Sequence, residues 1–337
     1  MNRVPPARPV LVAPDSFKGT LTAVQVADAL ERGLEHGGWR CERCPVADGG
    51  DGTLEALLPT LGGELVDTDV HDPLGRPVRA AFALVEGGAR AIVETATASG
   101  LALVAEDERD AEAASTAGTG ELIAAAVESG AHEVLVGVGG SATTDGGVGA
   151  IEAIAACGGL RGARLVVLCD VRTPFERAAE VFAPQKGADP EAVGRLTRRL
   201  QRQARELPRD PRGRPMTGCA GGLSGGLWAA FGARLAPGAA FVLDALGFDA
   251  RARSAAAVVT GEGRLDGQSL EGKVVGEVAT RCRQRGIPCH AVVGTSALDR
   301  FGLRLLDLQS VDEAGTPADI EAAARRLGER LIAERCR

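Results

Sequence analysis

"RPVLVAPDSFKGTLTAVQVADALERGLEHGG", residues 8–38, joins an apolar run to an amphipathic one. Residues 8–14 are almost continuously apolar, the pattern of a strand covered on both faces. The period then changes. Thr22 and Gln25 are spaced as a capping box, Val26, Leu30 and Leu34 recur at helical spacing, and Gly37-Gly38 ends the run. A buried strand leading into a helix is the opening unit of a parallel α/β sheet. Between them lies "APDSFKGT", which carries Asp15, Ser16 and Lys18.

The alternation continues. A short strand near "CERCPVA" (41–47) reaches "DGGDGT" (48–53), and a helix follows from Thr53 to about Leu61. Strands are predicted over 255–263, 289–295 and 303–311, with helices over about 273–285 and 318–335. The stretch 63–96 reads differently: it is strand-rich, with turn signals at Pro73-Leu74-Gly75 and Gly87-Gly88, which suits antiparallel or mixed pairing. The expected fold is α/β with two domains. Residues 1–65 and 236–337 form a discontinuous doubly wound (Rossmann- or flavodoxin-like) parallel-sheet domain. Residues 66–235 form an inserted mixed α/β domain, and the active site lies in the cleft between the two. The polar stretch 205–215 is expected to be a mobile loop, and no internal repeat is seen.

Composition narrows the function classes. Hydrophobic content of 45% and charged content of 25% are those of a globular protein. A net charge of −7 argues against nucleic acid or an anionic membrane as partner. No apolar run approaches the ~18 residues of a membrane span, and the N-terminal stretch is not patterned as a signal peptide. The eight cysteines include one C-x-x-C, Cys41 and Cys44, with no second pair and no histidine ligands nearby. Reduced thiols in a cytoplasmic protein are the expectation.

Two biases point to a ligand. Of 38 basic residues only three are lysine, Lys18, Lys186 and Lys273, and each lies beside a glycine. Lysine is a compact mobile charge that arginine does not replace at a tight anion site, so these three are read as facing phosphate or carboxylate. Carboxylates, in turn, gather at strand ends. Asp15 follows the first strand, Asp48 and Asp51 the second, Asp145 the run "EVLV" (133–136), Asp170 the run "LVVL" (165–168), and Glu262 and Asp266 the run "AAAVV" (255–259). In doubly wound sheets ligands bind at those ends. Taken singly, each acid also reads as a helix cap or a turn, Asp15 and Asp51 most readily because a helix follows. Taken together they read as ligand groups.

Familiar motifs fail one by one. "GVGGSA" (137–142) fits G-x-G-x-x-G/A, yet the acidic residue expected about twenty positions later is replaced by Gly158-Gly159. "GQSLEGKV" (267–274) has Val274 where a Walker loop needs Ser or Thr. Four scattered histidines give no support to a hydrolytic triad. Glycine-rich turns, lysines and carboxylates remain, and these are the parts of phosphoryl transfer. The residues therefore read as a metal-assisted kinase or related phosphotransferase for a small polar substrate. A non-catalytic sugar-acid or nucleotide-sensing module and a nicotinamide oxidoreductase are the rival classes.

The motif series is more specific than its parts. "APDSFKGTLTA", "ADGGDGT", "GVGGSATTDGG", "CDVRTPF" with "APQKGAD", "GCAGGLSGGL" and "VVTGEGRLDGQSLEGK", in that order, resemble the bacterial type I glycerate kinases over about residues 10–295. The resemblance implies a two-domain enzyme that uses ATP and Mg²⁺ to phosphorylate glycerate, with 2-phosphoglycerate the usual product of the family. A related hydroxy acid or the 3-hydroxyl stays open, as does a homodimer. Carried onto this chain, Lys18, Asp145 and Asp170 are the expected catalytic residues, with Asp170 as base or acceptor orienter. Ser16, Asp48, Gly49, Gly139, Gly140, Ser141, Thr144, Lys186, Glu262, Arg264 and Lys273 are expected to bind substrate or phosphate, and Asp145, Asp170 and Asp266 the metal. Whether 137–147 holds triphosphate or the glycerate carboxylate stays open. Three departures stand out: Thr144 where Asn is usual, Asp51 where Glu is usual, and about thirty residues missing before "CDV", where only "ACGGLRGARLVV" (156–167) remains.

Overall fold

The computed structural model describes residues 8–335, apart from the side chains of Glu271 and Arg335. In chain order the strands are β1 (Val10–Val12), β2 (Cys41–Arg43), β3 (Gly63–His71), β4 (Pro77–Val85), β5 (Arg90–Glu94), β6 (Glu133–Gly137), β7 (Arg164–Cys169), β8 (Arg234–Pro237), β9 (Ala257–Thr260), β10 (Arg264–Leu265), β11 (Cys289–Val293), β12 (Thr295–Ser296) and β13 (Ser310–Glu313). The chain divides into two compact units. One takes the chain up to Asp48 and from Val242 onward; the other runs from Gly49 to Phe241.

In the first unit the capping box forms as expected. The Gln25 amide donates to Thr22 Oγ1 at 3.3 Å and the Thr22 amide to Gln25 Oε1 at 2.9 Å, starting the helix Ala23–His36. Val10, Leu11 and Val12 are fully buried, so the opening apolar run is a central strand. The sheet is parallel throughout, in the order β13-β11-β9-β1-β2. Counted within the unit this is the flavodoxin-like order 2-1-3-4-5, and its direction reverses between β1 and β9. The helix Pro317–Arg335 packs beside Ala23–His36, and the Trp39 indole N–H donates to Gly328 O at 2.9 Å.

In the second unit the sheet order is β3-β4-β5-β6-β7-β8. β3, β4 and β5 pair antiparallel, and β5 to β8 pair parallel. This is the mixed pairing expected for the middle of the chain. Phe82, Leu122, Ile123, Val136, Ile154 and Leu223 belong to one buried cluster.

Three expectations are corrected. The units divide at 48/49 and 241/242 rather than 65/66 and 235/236. The cause is strand pairing: β3 meets β4 along its full length, and β8 pairs with β7, so both ends of that stretch belong to the second sheet. The run 303–306, expected as strand, is the end of a helix, Arg300–Leu306. Asp299 Oδ1 accepts the Gly302 amide at 2.8 Å to start it, Gly302 and Leu306 face inward one turn apart, and the strand begins only at Ser310. The stretch 205–215 is irregular beyond the helix Pro190–Glu206, but it is anchored. The guanidinium carbons of Arg209 and Arg214 lie 4.7 and 4.4 Å from the Trp228 ring centre, within cation–π range. A tight turn through Gly158, Gly159, Arg161 and Gly162, all at positive φ, carries the chain into β7. Among the described residues no helix is long and apolar enough to cross a membrane.

Candidate active site

A cavity of about 460 Å³ opens in the first unit at the carboxyl ends of its strands. Asp15, Ser16 and Lys18 reach it from the end of β1, and Glu262, Gly263 and Arg264 from the end of β9. These two strands flank the reversal of strand order, the place where such sheets bind ligands. Asp48, Asp266 and Lys273 complete its charged lining.

The charges are arranged in layers. Asp48 is 2% exposed at its side chain and accepts from Lys18 Nζ at 2.7 Å, while Lys18 is 56% exposed. The lysine is thus oriented from beneath and still faces the opening. Asp15 is buried and accepts the Ser16 amide at 2.7 Å. Burial, followed by the Asp48 charge, raises its pKa well above the carboxylate range. Glu262 accepts the Ser269 hydroxyl at 2.5 Å, and burial raises its pKa to about 7, against the pull of Lys273. Asp266 accepts the Gln268 amide at 3.0 Å, caps the short helix Gly267–Glu271 and lies 3.5 Å from Arg264 Nε. Lys273 is the N-cap residue of the helix Val274–Arg285, whose amide end favours anions.

The second unit holds a separate cluster at the ends of β6 and β7. The glycine stretch 137–147 leaves β6 and folds back over the residues after Asp48. A side chain on Gly139 would stand 2.5 Å from Gly50 Cα, so only glycine permits this approach. The amides of Gly139, Gly140 and Ser141 take no backbone acceptor among the described residues. Gly49 belongs to the support, its carbonyl accepting the Val138 amide at 3.1 Å. Lys186, 3% exposed, donates to Thr143 O at 2.5 Å and Ser141 Oγ at 3.2 Å. Asp170 is half-buried after β7, and its charge, with that of Asp145, acts on Lys186.

The expected site residues therefore separate into two groups. Ser16, Lys18, Asp48, Glu262, Arg264, Asp266 and Lys273 share the cavity. Gly139, Gly140, Ser141, Thr144, Asp145, Asp170 and Lys186 belong to the second unit, so Lys186 does not line the cavity with the other two lysines. Asp145 has a structural task that was not expected. Its Oδ2 accepts from the Thr116 amide at 2.9 Å, the Thr116 hydroxyl at 2.8 Å and the Gly149 amide at 3.2 Å, and its Oδ1 from the Gly147 amide at 3.0 Å. Three of these donors fall on Oδ2 and one on Oδ1, so Asp145 anchors the loop. Thr144 is buried with its hydroxyl unpartnered among the described residues.

Two acids were undervalued by sequence. Asp15 does not cap the following helix, which Thr22 caps; it faces the cavity instead. Glu94, at the end of β5, accepts the Leu54 amide at 2.6 Å and so serves the helix Thr53–Leu61, whose N-cap Gly52 has no side chain to offer. Its only sequence signal was a strand-end position.

The buried lysine gives a pH test. Burial lowers the Lys186 pKa from 10.5 to about 7. Between those values the unfolded chain binds a proton that the folded chain does not, so this group's contribution to stability rises with pH across that window, and the penalty is complete below it. Urea unfolding of Lys186→Met should show its largest advantage over wild type at pH 7, narrowing towards pH 10. A difference that stays constant would mean that the amine keeps its ordinary pKa.

Comparison with known proteins places this geometry. The profile of the Glycerate kinase family matches residues 10–159 and 155–333. Glycerate kinase of Bacillus subtilis (strain 168) is 37% identical over 86% of each chain, and glycerate 2-kinase of Escherichia coli (strain K12) is 35% identical over 85% of each. A crystal structure from Salmonella typhimurium LT2, assigned as glycerate kinase 2, superposes with a TM-score of 0.81 at 33% identity, covering 98% of this chain and 100% of that one.

Proposed function

The chain belongs to the glycerate kinase family, and from that premise we propose that it transfers a phosphoryl group from ATP to the 2-hydroxyl of glycerate, with the triphosphate held in the switch-point cavity. The observation that carries the phosphate assignment is the convergence of Lys18, Arg264 and Lys273 on one cavity at the β1/β9 reversal. Three cations there neutralise charge on the transferring group, which is most of what phosphoryl transfer asks of a protein.

Glycerate is assigned to the second cluster. Its carboxylate suits the amides of Gly139, Gly140 and Ser141, with Lys186 as a nearby amine. Asp170, half-buried at the carboxyl end of β7, accepts the proton of the attacking hydroxyl.

The donor set is compatible with Mg²⁺. The cavity offers carboxylate oxygens, which a hard cation prefers, and Asp266 with Asp48 would hold it. Among the described residues no three His, Cys, Asp or Glu side chains are grouped as a metal site, and Mg²⁺ needs only one or two carboxylates when phosphate oxygens and water complete its shell. When bound there it would neutralise negative charge on the phosphates. The seven described cysteines are free thiols, in keeping with a cytoplasmic enzyme.

A coupled ADP-release assay with glycerate and related hydroxy acids tests the reading, with the product identified by NMR. Glycerate-dependent ADP release with phosphorus on C2 is expected. Phosphorus on C3, or faster turnover of another hydroxy acid, would correct the regiochemistry or the acceptor.

A further inference from the structure

We propose that the groove adjoining the cavity is the nucleoside subsite, taking the ribose and base of ATP; this rests on the phosphate assignment above. The groove, about 260 Å³, shares Gly294 and Gly315 with the cavity, so the two adjoin. It follows the carboxyl edge of the sheet outward from the reversal, past the end of β11 to the end of β13. A cavity and groove of different chemistry suit an elongated ligand with one charged and one neutral part.

The chemistry also sets the orientation. The cavity carries Lys18, Arg264 and Lys273, whereas the groove carries Glu313 and Asp319, which would repel phosphate. Carboxylates are suitable acceptors for the paired hydroxyls of a ribose. Asp319 Oδ2 already accepts the Thr316 hydroxyl at 2.6 Å, which fixes the side chain and leaves Oδ1 to a ligand. Ala314 and Ala322 supply small apolar surface, and Arg326, exposed and without an ion pair among the described residues, offers a planar guanidinium on which a flat base can stack. At Gly315 no atom lies within 4 Å of the place a side chain would take, and its φ is one that other residues adopt. A side chain placed there would therefore enter open space.

Calorimetry on the full chain, with Mg²⁺ present and ATP, 2′,3′-dideoxy-ATP or inorganic tripolyphosphate as probe, tests the assignment. Gly315→Val projects a branched side chain into the groove, and Asp319→Asn removes the ribose acceptor charge while keeping the Thr316 partner. Both are expected to melt with wild type, to weaken ATP binding at least tenfold, and to change tripolyphosphate binding less than twofold. Loss of the ribose hydroxyls should weaken binding to wild type and cost nothing further in Asp319→Asn. The subsite is refuted if both variants bind ATP as wild type does, or if tripolyphosphate binding falls in step with ATP. If wild type binds neither ATP nor tripolyphosphate, the phosphate assignment of the cavity itself is refuted.

Discussion

Replacing Lys18 with alanine is expected to lower kcat/KM for glycerate phosphorylation by about 10² or more, and to lower the melting temperature because buried Asp48 loses its ion pair. The side chain is 56% exposed, so little packing depends on it, yet its ammonium group stands 2.7 Å from the buried Asp48 carboxylate and faces the cavity. The substitution removes a positive charge from the place where phosphate charge is transferred. It also breaks the ion pair that makes Asp48 tolerable there. Lys18→Arg is expected to remain impaired, because a planar fork does not reproduce a point charge in a confined site. Steady-state kinetics at fixed ionic strength, beside a thermal melt, decide the matter. Wild-type kinetics in Lys18→Ala would remove the residue from the site.

Asp170→Asn is expected to reduce kcat by at least roughly 10², with ATP affinity unchanged, as for loss of a general base. Five consecutive buried residues of β7, Leu165 to Cys169, hold the position firmly, and the carboxylate follows at the strand's end, half-buried. Asparagine keeps the size and one acceptor but cannot take a proton. Single-turnover rates alongside ATP titration separate the possibilities. If the variant instead loses ATP or Mg²⁺ binding and keeps its turnover at saturating ligand, Asp170 is a binding residue and the proton goes elsewhere.

Much of the first unit was legible because local chemistry and tertiary structure agree there. The capping box at Thr22, the central strand Val10–Val12 and the helices from Val274 and Pro317 all follow from period and punctuation. Of the carboxylates at strand ends, Asp48, Glu262 and Asp266 share one cavity, whereas Asp145 and Asp170 lie in the second unit. What failed depended on partners distant in sequence. The run 303–306 is apolar enough for a strand, and only the Asp299 cap and the inward pair Gly302 and Leu306 make it helical. Asp145 is held by Thr116, 29 positions earlier, a structural task that no local pattern shows. Asp15 looked like a cap because a helix follows, and its burial beside Asp48 is set by the β1–β2 pairing. Lys186 shares the rarity of Lys18 and Lys273 but not their surroundings, which composition alone does not distinguish.

The interrupted first sheet has a consequence for biosynthesis. β1 pairs with β2, which leaves the ribosome soon after it, but its other neighbour is β9, where Val10 meets Ala257. At about 5–20 residues per second the wait between the two lasts on the order of tens of seconds. Meanwhile the stretch from Gly49 to Phe241, continuous in sequence, emerges with all six strands of its own sheet. A nascent chain stopped short of Ala257 thus presents an assembled middle and, ahead of it, Val10, Leu11 and Val12 with one open strand edge. That tripeptide is fully buried in the finished protein, and during synthesis it is the segment most in need of a chaperone.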